Sequence, residues 1–180
     1  MKKINSQILM RTIAASLLCF LTLQPAAVGA AAYAETATMF EDAFSPRQGA
    51  TELVVKTINE AKKSVHVAAY SFTSKPIAEA LITAHDKGVD VEVVLDKSQR
   101  NGRMVQYIKD HGIPTRINDH YAIMHDKFIV IDEKTLELGS FNYTAAAEKR
   151  NAENVLVLHG AGKIVEDYSK QWEKLWGEAK

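Results

Sequence analysis

The stretch H-D-K-F-I-V-I-D-E-K-T-L-E-L-G-S-F-N, His125 to Asn142, decides how the rest of the chain is read. It predicts a hairpin: Ala122 to Ile131 and Leu136 to Leu138 are strands, and the chain reverses at Asp132-Glu133-Lys134. On a strand, residues two apart share a face. His125 and Lys127 therefore point the same way, and Asp126 points opposite. Positions 129 and 131 continue the His125 face, whereas Asp132 falls off it, where the chain must turn. Asp132 is accordingly expected to be structural, capping or pairing at the turn. The return strand brings Ser140 and Asn142 back towards His125, and Gly139 permits a close backbone approach. An imidazole, an ammonium, a hydroxyl and an amide are thus expected to converge at one end of a hairpin.

Around this hairpin, strand and helix patterns alternate. Strands are expected at Ala37 to Phe44, Ser64 to Tyr70, Val89 to Leu95, Thr115 to Ile117 and Glu153 to Leu158. Helical spacing of apolar residues marks Gln48 to Lys63, Pro76 to His85, Asn101 to Asp110 and Lys163 to Trp176. In the last, Ile164, Tyr168, Trp172, Leu175 and Trp176 should face inward. The pattern predicts an α/β fold, a three-layer α/β/α sandwich with a mixed central sheet. No linker, repeat or low-complexity tract divides it.

The first 34 residues read differently. Lys2, Lys3 and Arg11 give a positive start, Ile13 to Leu23 is apolar apart from Ser16 and Thr22, and Ala32-Tyr33-Ala34 fits an A-x-A cleavage site. Residues 1–34 are expected to be a cleaved signal peptide, its apolar run being too short for a spanning helix, and residues 35–180 a single domain. Cleavage would remove Cys19, the only cysteine, so no internal disulfide is expected. It would also take those three cations and leave 19 Lys and Arg against 22 Asp and Glu, a net charge of −3. The 146 remaining residues suffice for one core, burying about 68–70% of their unfolded surface. A strongly basic surface is excluded, so attraction to a polyanion would rest on a local patch.

The spacing His125, Lys127, Asp132, Gly139-Ser140 and Asn142 is H-x-K-x4-D-x6-G-S-x-N, which resembles the HKD signature of the phospholipase D superfamily. A-A-Y-S-F-T-S at 68–74 and G-V-D-V-E-V-V-L-D at 88–96 also resemble segments of that family. One motif and about 150 residues after a signal are most similar to its small bacterial Nuc-type endonucleases, which resist EDTA. The resemblance implies a phospholipase D-like nuclease domain, a homodimer, and metal-independent hydrolysis of DNA or RNA with low sequence specificity. It implies no cofactor, no metal and a periplasmic or secreted address. His125, Lys127, Ser140, Asn142 and Glu153 carry over position by position.

The chemistry suits those residue types. A neutral imidazole attacks a phosphodiester better than water does and leaves a phosphoramidate that water hydrolyses. Lys127, Asn142 and the Ser140 hydroxyl can hold the non-bridging oxygens. Glu153, opening the strand E-N-V-L-V-L, is the candidate acceptor that fixes the imidazole tautomer. The leaving oxygen needs a second group that titrates near neutrality, which points to another histidine. His85-Asp86-Lys87 repeats the tripeptide, but on a predicted helix end with Glu92 at the later position and no G-S-x-N, and reads as a solvated helix terminus. With one motif per chain, a two-fold dimer joining two copies of His125 is the simplest answer.

Other readings stay open. Lys97, Arg100 and Arg103, with Lys149 and Arg150, form a possible phosphate-backbone patch or merely solvated loops. A phospholipase would use the same chemistry but should show an exposed apolar rim; Trp172 and Trp176, spaced i, i+4, fit a core better. Stable membrane association is not expected after signal cleavage. A metal nuclease finds no paired spacing among His66, His85, His111, His120 and His159, and His66 reads as a core histidine. A non-catalytic nucleic-acid-binding module is the third class.

Overall fold

A computed structural model describes residues 39–180 of the chain; the expected signal peptide and the start of the first expected strand lie outside them. One seven-stranded sheet organises these residues. In chain order the elements are β1 (Met39–Ser45), α1 (Ala50–Asn59), β2 (Ser64–Ala69), α2 (Lys75–Asp86), β3 (Asp90–Asp96), α3 (Arg103–Asp110), β4 (Thr115–Asn118), β5 (Lys127–Ile131), β6 (Thr135–Gly139), α4 (Ala145–Arg150), β7 (Glu153–His159) and α5 (Gly162–Glu178). The spatial order is β1-β7-β6-β5-β2-β3-β4. β2, β3 and β4 run parallel, and the other neighbours are antiparallel. The sheet is mixed and the sandwich has three layers, as the alternating pattern predicts.

The layers are unequal. Helices α1 to α4 cover one face, sealing a core that includes Val54, Ile58, Ile77, Leu81, Ile108, Ile129 and Val157. The other face carries α5, which packs against β2, β4, β5 and β6 through Val165, Trp172 and Leu175. β1 lies at the far edge, and its Phe40 and Phe44 stay 63% and 48% exposed on the α5 side. Helix α4 is absent from the periodicity reading. Its signal is local: the Thr144 hydroxyl accepts from the Ala147 N–H and starts a helix on an alanine run.

The β5–β6 turn is tighter than its composition suggests. Asp132 and Glu133, the first two of the three residues between the strands, both have positive φ, 54° and 55°. Such a conformation costs non-glycine residues energy, and here the Asp132 side chain offsets it. Its carboxylate accepts from the backbone N–H groups of Lys62 (2.9 Å), Lys63 (2.7 Å) and Ser64 (2.9 Å), and its own N–H donates to the Ser64 carbonyl (3.0 Å). Burial raises the Asp132 carboxyl, but these backbone donors outweigh it and hold the group below the usual range. β5 is thereby pinned beside the start of β2.

A second carboxyl is buried without a charge partner. Glu137, mid-β6 and 1% exposed, accepts from the Tyr143 hydroxyl at 2.6 Å. Burial pushes it up to about 8, against the lowering effect of that hydrogen bond, so it is neutral at pH 7.

Asp132→Ala should lower unfolding free energy by about 2–3 kcal/mol at pH 7, read from urea midpoints, since three N–H groups lose a charged acceptor. That contribution should fade as pH falls through the depressed Asp132 value. Glu137 acts in the opposite window. Its folded value is raised, so the native state keeps a proton that the unfolded chain releases, and stability should fall as pH rises from about 4.5 to about 8. The slope is up to about 1.4 kcal/mol per pH unit; Glu137→Gln should flatten it in urea melts at pH 5, 7 and 8.5.

Candidate active site

The pocket forms where three strand ends meet. β5 begins, β6 ends and β7 begins at the same edge of the sheet, because all three are antiparallel neighbours. The C-terminal end of β2 adds to it, with Ala69 opposite Lys127. There His125, Lys127, Gly139, Ser140, Asn142 and Glu153 line an open cavity of about 450 Å³. All six motif or strand-end positions singled out from the sequence for this site are brought together.

His125 does not lie on the strand, as the sequence reading expects; β5 begins two residues later, at Lys127. The segment before it is nevertheless fixed at both sides. The Met124 N–H donates to the carboxylate of Asp96 (2.8 Å), which is 2% exposed, and the Tyr70 N–H donates to the Asp126 carbonyl (3.0 Å). Burial raises the Asp96 carboxyl, yet the Ser98 and Met124 N–H groups bring it net below its ordinary value. The extended backbone keeps His125 and Lys127 on one side. Lys127 Nζ is 3.0 Å from His125 Nδ1 and donates to the His125 carbonyl at 2.6 Å. Desolvation lowers the Lys127 ammonium, while Asp126 and Glu153 pull it back up. Tyr70 closes one wall, its ring 4.5 Å from the His125 ring and 5.3 Å from Lys127 Nζ.

Opposite stand the two other strand ends. Glu153 Oε2 accepts from the Ser140 hydroxyl at 2.6 Å, and Oε1 accepts from Asn151 Nδ2 at 2.9 Å. The Ser140 hydroxyl in turn accepts from the Asn154 N–H (3.2 Å). The expected Glu153–His125 hydrogen bond is therefore not made: Glu153 engages Ser140 and Asn151, and Lys127 occupies His125 Nδ1. Asn142 is held by its backbone, with its carbonyl accepting from the Thr144 N–H at 2.6 Å. Its amide oxygen is buried with no hydrogen-bond partner among the described residues. Gly139 is dictated by space. A Cβ there would lie 2.1 Å from the Asn154 carbonyl oxygen and 3.2 Å from Val155 Cα, so only glycine lets β6 approach β7 this closely.

The basic residues divide. Lys97 donates to the Tyr121 carbonyl (3.1 Å), and Arg100 pairs with Asp119 (3.1 Å). Arg103, Lys149 and Arg150 are exposed. His85 lies at the end of α2, apart from the pocket, 3.9 Å from Asp86. Tyr70, Asp96 and Asn151 were not singled out by sequence reasoning. A polar or aromatic residue at the carboxyl end of a parallel strand, as Tyr70 and Asp96 are, was the available signal.

A phosphate-sized anion fits this constellation: a cation beside an imidazole, an unpaired amide, a hydroxyl and a carboxylate across a water-accessible cleft. Comparison with known proteins agrees with it. Residues 54–176 match the family model described as cardiolipin synthase, PLD-like domain. A phospholipase D of Rickettsia bellii is 37% identical over 131 residues, 72% of this chain and 65% of the relative. A mitochondrial cardiolipin hydrolase of Chlamydomonas reinhardtii is 32% identical over 121 residues, 66% of this chain and 54% of that protein. The chain thus spans less than two thirds of the length of these curated relatives. The crystal structure of Nuc, a phospholipase D family member from Salmonella typhimurium, superposes with a TM-score of 0.76 at 38% identity, covering 79% of this chain and 96% of that one. The fold, the converging motif residues and these matches together make the chain a member of the phospholipase D superfamily.

Proposed function

We propose that this protein is a metal-independent phosphodiester hydrolase, an endonuclease of low sequence specificity acting on DNA, with RNA as the alternative nucleic-acid substrate and His125 as nucleophile. The observation that carries the reading is the single cleft that unites His125, Lys127, Ser140, Asn142 and Glu153. In the first step a lone pair of the His125 imidazole forms an N–P bond and the bond from phosphorus to the leaving oxygen breaks. In the second, water attacks phosphorus and the N–P bond breaks, returning the imidazole. Lys127 and Asn142 hold the non-bridging oxygens as charge builds on them. An arriving phosphate draws the Lys127 ammonium off His125 Nδ1. The single N–H of the neutral ring then shifts from Nε2 to Nδ1 by exchange with water, where Glu153 can accept from it, leaving Nε2 free to attack.

The leaving oxygen needs a proton, and among the described residues lining the cleft His125 is the one histidine. His125 of the partner subunit in a homodimer supplies it and accepts a proton from the attacking water in the second step. The uncovered sheet face supports pairing. Phe40 and Phe44 stand exposed beside β7, and Phe44 lies opposite Asn154, one residue from Glu153. Residues 1–34 are proposed as an export signal and 35–180 as the functional domain, placing the enzyme in the periplasm or outside the cell. No helix among the described residues is long and apolar enough to cross a membrane.

A lipid diester is the second reading. The Rickettsia and Chlamydomonas relatives carry the names phospholipase D and cardiolipin hydrolase, and Ile123, two residues from His125, is 55% exposed. Nucleic acid is favoured here because Nuc matches across 96% of its length and exposed Arg103, Lys149 and Arg150 suit a phosphate backbone.

Plasmid DNA should be nicked in excess EDTA, and His125→Ala should reduce the rate on the order of 10⁴-fold or more. Cleavage retained in that variant rejects His125 as nucleophile. Cardiolipin and phosphatidylcholine vesicles assayed in parallel decide between the substrates. Sedimentation equilibrium should report a dimer that Phe44→Asp weakens, with activity falling as monomer accumulates; a fully active monomer rejects the shared site.

A further inference from the structure

We propose that His66, Asp90 and Glu92 form a divalent-cation site of the zinc type, separate from the cleft at His125. The three come from adjacent parallel strands, His66 facing Glu92 and Ser64 facing Asp90 in register. His66 Nε2 lies 4.0 Å from Asp90 Oδ2 and 3.8 Å from Glu92 Oε2, and one ligand atom from each residue falls within 4.8 Å of the others. These separations are too long for hydrogen bonds. They suit atoms sharing an ion: zinc sits about 2.0–2.2 Å from imidazole nitrogen and carboxylate oxygen, which spaces two ligands by roughly 3.4–4 Å.

The imidazole is prepared for this. Its ring stacks on Trp172 with centroids 4.2 Å apart and planes 15° from parallel. Trp172 is itself fixed by its Nε1–H, which donates to the Val67 carbonyl at 3.0 Å. Nε2 is buried and has no hydrogen-bond partner among the described residues, an expensive arrangement for a polar atom. An imidazole with two carboxylates favours zinc over magnesium or calcium, which prefer all-oxygen cages. Water completes the tetrahedron, and the exposed Asp90 side provides the entry path.

Such an ion would stand outside the reaction. His66 precedes by three residues Ala69, the partner of Lys127 in the sheet, which is about 10 Å along the strand. It also faces α5, whereas Lys127 faces the opposite layer. Its work would be to clamp β2 to β3 against α5.

The test is calorimetric titration of the chelator-stripped protein with zinc chloride, in a His125→Ala background that removes the cleft imidazole as a competing ligand. One saturable site per chain is expected, with a Tm several degrees higher in excess zinc. Glu92→Gln and Asp90→Asn should each weaken binding at least about tenfold while leaving the circular dichroism spectrum unchanged. Asp90 is largely exposed, so its substitution does not threaten the fold. Absence of saturable binding overturns the proposal. So does an affinity that neither carboxylate variant alters.

Discussion

Three successive N–H groups, at Lys62, Lys63 and Ser64, converge on one carboxylate, that of Asp132, and the rest of the molecule depends on that convergence. It sets where the β5–β6 hairpin lies against β2, and a sheet tolerates no half measures in register: a slip by one residue turns every side chain to the other face. With the register fixed, Ala69 stands opposite Lys127 and the start of β5 reaches the end of β2. Tyr70 can then wall the His125 ring, and β6 can return Ser140 and Asn142 to the same edge. The motif aspartate thus serves chemistry at a distance of one strand length, through geometry alone.

Much of this was legible because the decisive residues are close in sequence. The hairpin and its turn follow from period-two alternation, and the motif spacing announces that His125, Lys127, Ser140 and Asn142 meet at one end of it, although His125, Ser140 and Asn142 stand just outside the strands. What was not legible depended on contacts between distant segments. Asp96 and Met124 are 28 residues apart, and nothing local announces that one carboxylate holds the other's N–H. The partnership of Glu153 with Ser140 and Asn151, in place of His125, is a matter of ångströms that strand periodicity does not resolve. His66 illustrates the same limit: its carboxylate neighbours lie 24 and 26 residues onward and become neighbours only through the parallel pairing of β2 and β3.

The unequal layers link fold to assembly. A single helix, α5, spans the half of the sheet built from the parallel strands and their neighbours, and the antiparallel edge keeps apolar side chains in solvent. The same edge carries Glu153 and the close β6–β7 approach. The uncovered surface thus borders the strand that carries Glu153, and on the proposed mechanism a second copy of the chain would both cover that surface and bring the second histidine.

Gly139 sharpens how such sequences can be sorted. Its requirement is one of volume, not of backbone freedom: the space that a methyl group would fill already belongs to the Asn154 carbonyl. No rearrangement of torsion angles at that residue creates room. Any side chain there must wedge the two strands apart and carry Ser140 away from Glu153. A homologue that retains the histidine and lysine but bears alanine at this place is thus better classed with scaffolds than with enzymes, a distinction that a search keyed on reactive groups alone would miss.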